Sequence, residues 1–72
     1  MNTESKSERF KRLASSRTNE VMRKLKILGN CSNRQSYDYT EEEINTIFSA
    51  IDKKVKEVKS KFYFDKTEKF KL

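Results

Sequence analysis

One glycine divides this chain into two long segments, each with the pattern of an amphipathic helix. Gly29 is the only glycine among the 72 residues, and the polar run that follows it, 30–39, has no regular apolar spacing. On both sides of this run, apolar residues recur every three or four positions, which is the period of an α-helix. The sequence therefore predicts an all-α protein with two long helices.

The first helix is predicted over residues 7–28. A glycine directly after a helix commonly adopts the left-handed conformation that lets the last carbonyl groups find donors. We therefore expect Gly29 to end the helix in that conformation. The apolar stripe of this helix comprises Phe10, Leu13, Ala14, Val21, Leu25 and Leu28, with Met22 and Ile27 at its margins.

The second helix is predicted over residues 40–63 and begins at a capping box. The Thr40 hydroxyl can accept a hydrogen bond from the Glu43 amide, while the Glu43 carboxylate accepts one from the Thr40 amide. Tyr39 precedes the cap and should pack on Ile44 as a hydrophobic staple. The apolar stripe of this helix comprises Ile44, Ile47, Phe48, Ile51, Val55, Val58 and Phe62.

Two helices of this length can pair as an antiparallel hairpin, which we expect to form one domain over residues 1–62. Residues 63–72 are then an aromatic and lysine-rich tail. Two helices share only one seam, and a core of this size rarely supplies more than a few kcal/mol. We therefore expect a partner, most simply a second copy, so that two hairpins form a homodimeric four-helix bundle.

The composition argues against an enzyme. The chain has no histidine to transfer protons near neutral pH, and its single cysteine, Cys31, has no imidazole or second thiol as a partner. We expect no catalytic residue, no cofactor and no metal. An odd cysteine without a signal peptide points to the cytoplasm. No segment approaches the length of a membrane span, so we expect no membrane partner.

Positive charge is concentrated in the first predicted helix. The chain carries 17 Lys and Arg against 11 Asp and Glu, a net charge of +6, and residues 6–26 contain eight of those cations against two acids. Arginine forks bind phosphate or carboxylate oxygens in a bidentate manner. We therefore predict a partner-binding surface here, the alternative being an ordinary solvated face. Its candidate residues are Arg9, Arg12, Arg23 and Lys26.

Arg17 interrupts the apolar stripe of the first helix. A buried charge is tolerated only when it is paired and hydrogen-bonded. In an antiparallel hairpin Asp52 can approach the middle of the first helix, so a structural pair with Arg17 is the first interpretation. The alternative is that Arg17, with Asn19, faces a ligand across the seam.

The loop between the helices is a second candidate site. It offers several hydrogen-bonding side chains between 32 and 36, flanked by Tyr37 and Tyr39, and such loops can hold a phosphate or stack on a base. A structural role is favoured, because Asn and Ser satisfy loop backbone through local turns. We expect Arg34 to be the loop residue that is free for a partner.

The tail contains four of the eight aromatic residues in the chain. Phe62 completes the second stripe, but Tyr63 and Phe64 cannot both share its face. The favoured interpretation is that the tail packs, either back on the hairpin or across on the second copy of a dimer. The alternative is a docking peptide that presents Tyr63, Phe64 and Phe70 to a partner.

Three short motifs carry a family resemblance. They are Leu13-Ala14-x-x-Arg17-x-Asn19, Gly29-Asn30-x-Ser32-Asn33 and Tyr37-x-Tyr39-Thr40. In this pattern the chain resembles, over about residues 9–62, a group of small helical proteins encoded in Gram-positive genomes, often near mobile elements. Cys31 stands where an aliphatic residue is usual in that group. The resemblance groups the motif residues into one constellation but implies no activity.

Two classes of binding function follow. In the first, a small basic accessory or regulatory protein places its arginine-rich helix against nucleic-acid phosphates. In the second, a phage- or plasmid-type adaptor or inhibitor docks on a host protein or nucleoprotein complex. No groove-reading motif is present, so nucleic-acid binding would be weakly sequence-specific. We favour the first class, and the two differ in the salt dependence that they predict.

Overall fold

A computed structural model describes residues 3–62, and all of the regular structure in that range is helical. Helix α1 spans Lys6–Gly29, a short 3₁₀ helix spans Asn30–Ser32, and helix α2 spans Glu41–Lys59. The prediction of two helices and no strand is confirmed for these residues. The chain divides into two compact units, Met1–Asp38 and Tyr39–Leu72, and the described part of each contains one α-helix.

A capping box that sequence reasoning missed starts α1. The Glu8 amide donates to the Ser5 hydroxyl (3.1 Å), and the Ser5 amide donates to the Glu8 carboxylate (3.3 Å). The spacing Ser-x-x-Glu was a readable signal for this start. Helix α1 therefore begins at Lys6, one residue before the predicted start.

The left-handed conformation predicted for Gly29 is wrong. Gly29 is right-handed, with φ −59° and ψ −26°, and remains part of α1. The Asn30 amide donates to carbonyl groups in the last turn of α1, and the chain continues as the 3₁₀ helix until Asn33 turns extended at ψ 104°. Tightening into a 3₁₀ turn supplies donors to the last carbonyls, so no left-handed residue is required.

Replacing Gly29 by alanine tests this correction. A Cβ atom at Gly29 would meet no atom within 4 Å. Alanine loses less backbone entropy than glycine in a right-handed helix, so Gly29→Ala should stabilise the protein by about 0.5–1 kcal/mol. Thermal melting followed by circular dichroism measures this. A loss of stability would instead indicate a left-handed glycine, where a Cβ is strained.

The predicted start of α2 is confirmed. The Glu43 amide donates to the Thr40 hydroxyl (3.1 Å), and the Thr40 amide donates to the Glu43 carboxylate (2.9 Å). The three acids of the first turn also suit the positive end of the helix dipole. Tyr39 and Ile44 are both half-buried, as the predicted staple requires.

Helix α2 ends at Lys59, four residues before the predicted end. The Lys61 amide donates to the Val58 carbonyl (3.1 Å), and the Phe62 amide donates to the Lys59 carbonyl (3.0 Å). Bonds to the third preceding residue tighten the chain into a turn and stop the α-helix. The predicted contacts of Tyr63, Phe64 and Phe70 lie outside the described residues.

No residue between 3 and 62 is buried, and both apolar stripes are largely open. The stripe residues that are half-buried are Leu13, Ala14, Leu28, Ile44 and Ile51. An isolated helix in water is only marginally stable, and most helices in proteins depend on packing of their apolar face. Both stripes therefore need a covering surface.

Within residues 3–62, neither helix combines the length and the apolar character needed to cross a membrane.

Candidate functional site

All of the net positive charge of the chain is accounted for by α1. This helix contains eight Lys and Arg against two Glu, a net +6, which equals the net charge of the whole protein. Helix α2 has four lysines against five acids. Attraction for an anionic partner is therefore concentrated on α1.

Most of the predicted site residues of α1 lie on one side of the helix. Arg12, Asn19, Arg23 and Lys26 follow one another at spacings of seven, four and three, which keeps them on one face. Arg9 lies one turn before Arg12 at the edge of this face. We call this set the basic face; at 1.5 Å per residue, Arg12 to Lys26 spans about 21 Å. It lies opposite the apolar stripe of α1.

Helix α1 does not bring Arg17 and Asn19 together. Residues two apart on an α-helix point to different sides, and both lie within the unbroken span Lys6–Gly29. Arg17 falls on the side of the apolar stripe, between Ala14 and Val21, whereas Asn19 falls on the basic face. One ligand cannot contact both from a single side. The pairing of Arg17 with Asp52 stays a prediction.

Three arginines of the basic face have carboxylate neighbours. Glu4 accepts two hydrogen bonds from Arg12, from Nε and from Nη2, both at 2.9 Å, and lies 3.9 Å from Arg9 Nε. Glu20 accepts from Arg23 Nη2 at 2.8 Å. The side chains of Arg9, Arg12 and Arg23 nevertheless remain 65%, 62% and 54% exposed. They are accessible to a partner that can compete with these carboxylates.

The pair of Glu4 and Arg12 perturbs both groups. The hydrogen bonds from Arg12 lower the pKa of the Glu4 carboxyl, and the same bonds raise the pKa of the Arg12 guanidinium. Both groups therefore hold their charge over the whole range around neutral pH. The contact is lost only as the pH falls through the lowered pKa of Glu4.

Sequence reasoning found the arginines but not their partners. Glu20 and Arg23 are three apart on a helix, so their pair could have been read from the spacing. Glu4 and Arg12 are eight apart, and Glu4 precedes the helix. No helical spacing connects such residues, because the contact depends on how the capping box directs the chain before Ser5.

The loop is organised by Asn33. Its side-chain oxygen accepts from the Gln35 amide (3.0 Å), and its carbonyl accepts from the amides of Ser36 (3.1 Å) and Tyr37 (3.0 Å). These bonds support the structural interpretation of the loop. Arg34 is exposed but already has an interaction within the chain, so the expectation that it is free is wrong.

Within residues 3–62, no three acidic or cysteine side chains meet as ligands for a metal ion. Cys31 is an exposed free thiol. A concavity of about 400 Å³ lies beside the start of α1 and is lined by Thr3, Glu4, Glu8 and Arg12. Its lining combines one guanidinium with two carboxylates, so an external oxyanion would have to displace Glu4 from Arg12.

No protein-family model, curated protein or solved structure matches this chain. The resemblance to small Gram-positive and mobile-element proteins therefore stays a prediction, as do the partner and the activity.

Proposed function

We propose that this chain is a small, non-enzymatic accessory protein that binds nucleic acid through the basic face of α1. The observation that carries the proposal is the confinement of the net charge, +6, to one helix. Four of its eight cations, Arg9, Arg12, Arg23 and Lys26, lie on the side opposite the apolar stripe, and the three arginines among them are exposed. Neutralising several backbone phosphates releases counterions, which drives binding that is largely independent of sequence.

We further propose that the two stripes pair as an antiparallel hairpin. In α2 and the turn after it, apolar residues recur at spacings of three and four along the whole stripe, as in the seam of a coiled coil. An antiparallel register matches the two stripes along their whole length. The facing pairs are Phe10 with Phe62, Ala14 with Val58, Val21 with Ile51, Leu25 with Ile47, and Leu28 with Ile44.

Two further features support this register. Arg17 would lie opposite Val55, one turn from Asp52, which gives the charge on the stripe an acceptor. The strongly basic α1 would also face a helix with a small excess of acid, so charge favours this pairing over a pair of like helices. In the hairpin the basic face would point outward.

Dimerisation of two hairpins would cover the apolar residues at the margins of the seam. Met22 is 62% exposed and lies beside the stripe of α1, and Phe48 is 45% exposed at the margin of the stripe of α2. Apolar surface of this extent favours association, and a four-helix bundle is the simplest closed arrangement.

Salt dependence tests the nucleic-acid proposal. Binding of the full chain to a fluorescent duplex of about 20 base pairs should weaken as salt rises, with a slope of about −4 in the logarithmic plot if the four cations of the basic face each contact one phosphate. Two unrelated duplex sequences should give similar affinities. Absence of binding at low salt would refute the proposal.

The second candidate function is docking on a protein. The large exposed side chains of both stripes favour it, because such surface also fits a hydrophobic groove on a host protein. An apolar interface of that kind would persist at high salt. Tight, salt-resistant binding to a purified protein, with no affinity for either duplex, would support this candidate over the first.

A further inference from the structure

Glu4 and its partner in α1 are farther apart along the sequence than the two residues of an ordinary helix ion pair. Neighbours on a helix surface are three or four residues apart, whereas Glu4 binds a residue eight positions later. The capping box holds Ser5 in an extended conformation, at φ −69° and ψ 162°. Glu4 lies directly before that cap, and its carboxylate sits against the first two turns of α1.

The geometry around Glu4 is that of an occupied oxyanion site. Both carboxylate oxygens accept from the guanidinium of Arg12 at 2.9 Å, and Arg9 Nε lies 3.9 Å from one of them. Two nonbridging oxygens of a phosphodiester present the same pair of acceptors to an arginine fork. Glu4 is 27% exposed, much less than either arginine, so it occupies the inner side of this cluster.

We propose that Arg9 and Arg12 form a phosphate clamp whose internal occupant is Glu4, so that Glu4 competes with backbone phosphates for the same arginines. This inference rests on the proposed nucleic-acid function, for which it names one contact point and a built-in competitor. The neighbouring carboxylate of Glu8 is engaged by the Ser5 amide and belongs to the helix cap. Glu4 has no such role in the cap, so a phosphate can displace it without unwinding the helix start.

The displacement should have a low cost, because ion pairs between exposed side chains in water are weak. A polyanion supplies several phosphates at once, and each additional contact on the basic face adds to the release of counterions. The competitor therefore lowers the affinity of any anion that uses the clamp by about the same factor, and a long duplex binds in spite of it through its additional phosphate contacts.

The variant Glu4→Gln tests the inference. It removes the competing charge but leaves Ser5, Glu8 and both arginines in place. Its affinity for the duplex of about 20 base pairs should rise about three-fold at low salt, as expected for the loss of one exposed ion pair. The matched control is Glu57→Gln, which removes the same charge from α2, where Glu57 pairs with Lys54 at 2.9 Å. Its affinity should change much less.

A second measurement detects the contact itself. In the free wild-type protein, the Nε–H signal of Arg12 should appear in a nitrogen–proton NMR spectrum with slowed solvent exchange. The signal should weaken in Glu4→Gln and shift when duplex is added to the wild type. Circular dichroism should show equal helix content in all three proteins.

Each outcome is decisive. If the wild type bound the duplex and Glu4→Gln and Glu57→Gln bound it with equal affinity, Glu4 would not be a competitor of phosphate. The proposed function would remain intact. Weaker binding by Glu4→Gln would also overturn it, since Glu4 would then position the arginines. If no protein bound either duplex, the proposed function would fail and the clamp with it.

Discussion

Ile51→Asp should abolish the cooperative thermal melt and most of the helix content. Ile51 lies at the centre of the α2 stripe, is half-buried, and would face Val21 in the proposed register. A charge at that position would have to be buried without a partner, which costs several kcal/mol. A domain of this size has only a few kcal/mol to lose. Circular dichroism measures the loss, and sedimentation should report a dimer for the wild type and a monomer for the variant.

Ser49→Asp is the matched control for this experiment. It introduces the same side chain into the same helix, but Ser49 is two residues from Ile51 and therefore lies on a different side. Its melting curve should resemble that of the wild type. If Ile51→Asp also melted like the wild type, the stripes would not be paired with each other or with a second copy.

Replacing Arg9, Arg12 and Arg23 together by glutamine should weaken nucleic-acid binding on the order of 100-fold at about 0.1 M salt, because three phosphate contacts no longer release counterions. Glutamine has nearly the same helix propensity as arginine, and these positions lie off the apolar stripe. Helix content should therefore be unchanged. Fluorescence anisotropy with the labelled duplex measures the affinity.

The control removes three cations from α2 instead, by changing Lys53, Lys56 and Lys59 to glutamine. Both triple variants have the same net charge. If only the net charge of the protein determines affinity, both variants will lose affinity equally. If the basic face is the contact surface, the variant of α2 will lose far less affinity. Equal losses would contradict the assignment of the site to α1.

The sequence predicts the parts of this fold that depend on local chemistry. The Thr40 capping box was readable because a hydroxyl and a carboxylate three residues apart satisfy two amides reciprocally. The same logic applies to Ser5 and Glu8. Gly29 was misread because a glycine after a helix permits a left-handed conformation without requiring it. The 3₁₀ turn made that conformation unnecessary.

Of the candidate site, only the positively charged residues could be predicted from the sequence. Arg9, Arg12 and Arg23 stand out from composition, and their common side follows from helical spacing. Their carboxylate neighbours change what these arginines can do, and the one at Glu4 depends on a chain direction that no periodicity encodes. Arg34 shows the same limit, because no spacing in the sequence indicated that it has an interaction within the chain.

The slope of binding against salt, compared between the wild type and the triple arginine variant, tests the central proposal most directly. Each phosphate-contacting arginine that is removed should reduce the slope by about one, so the variant should lose about three. The triple lysine variant should keep the wild-type slope. A slope that is the same for wild type and the arginine variant would show that the basic face of α1 does not contact phosphates.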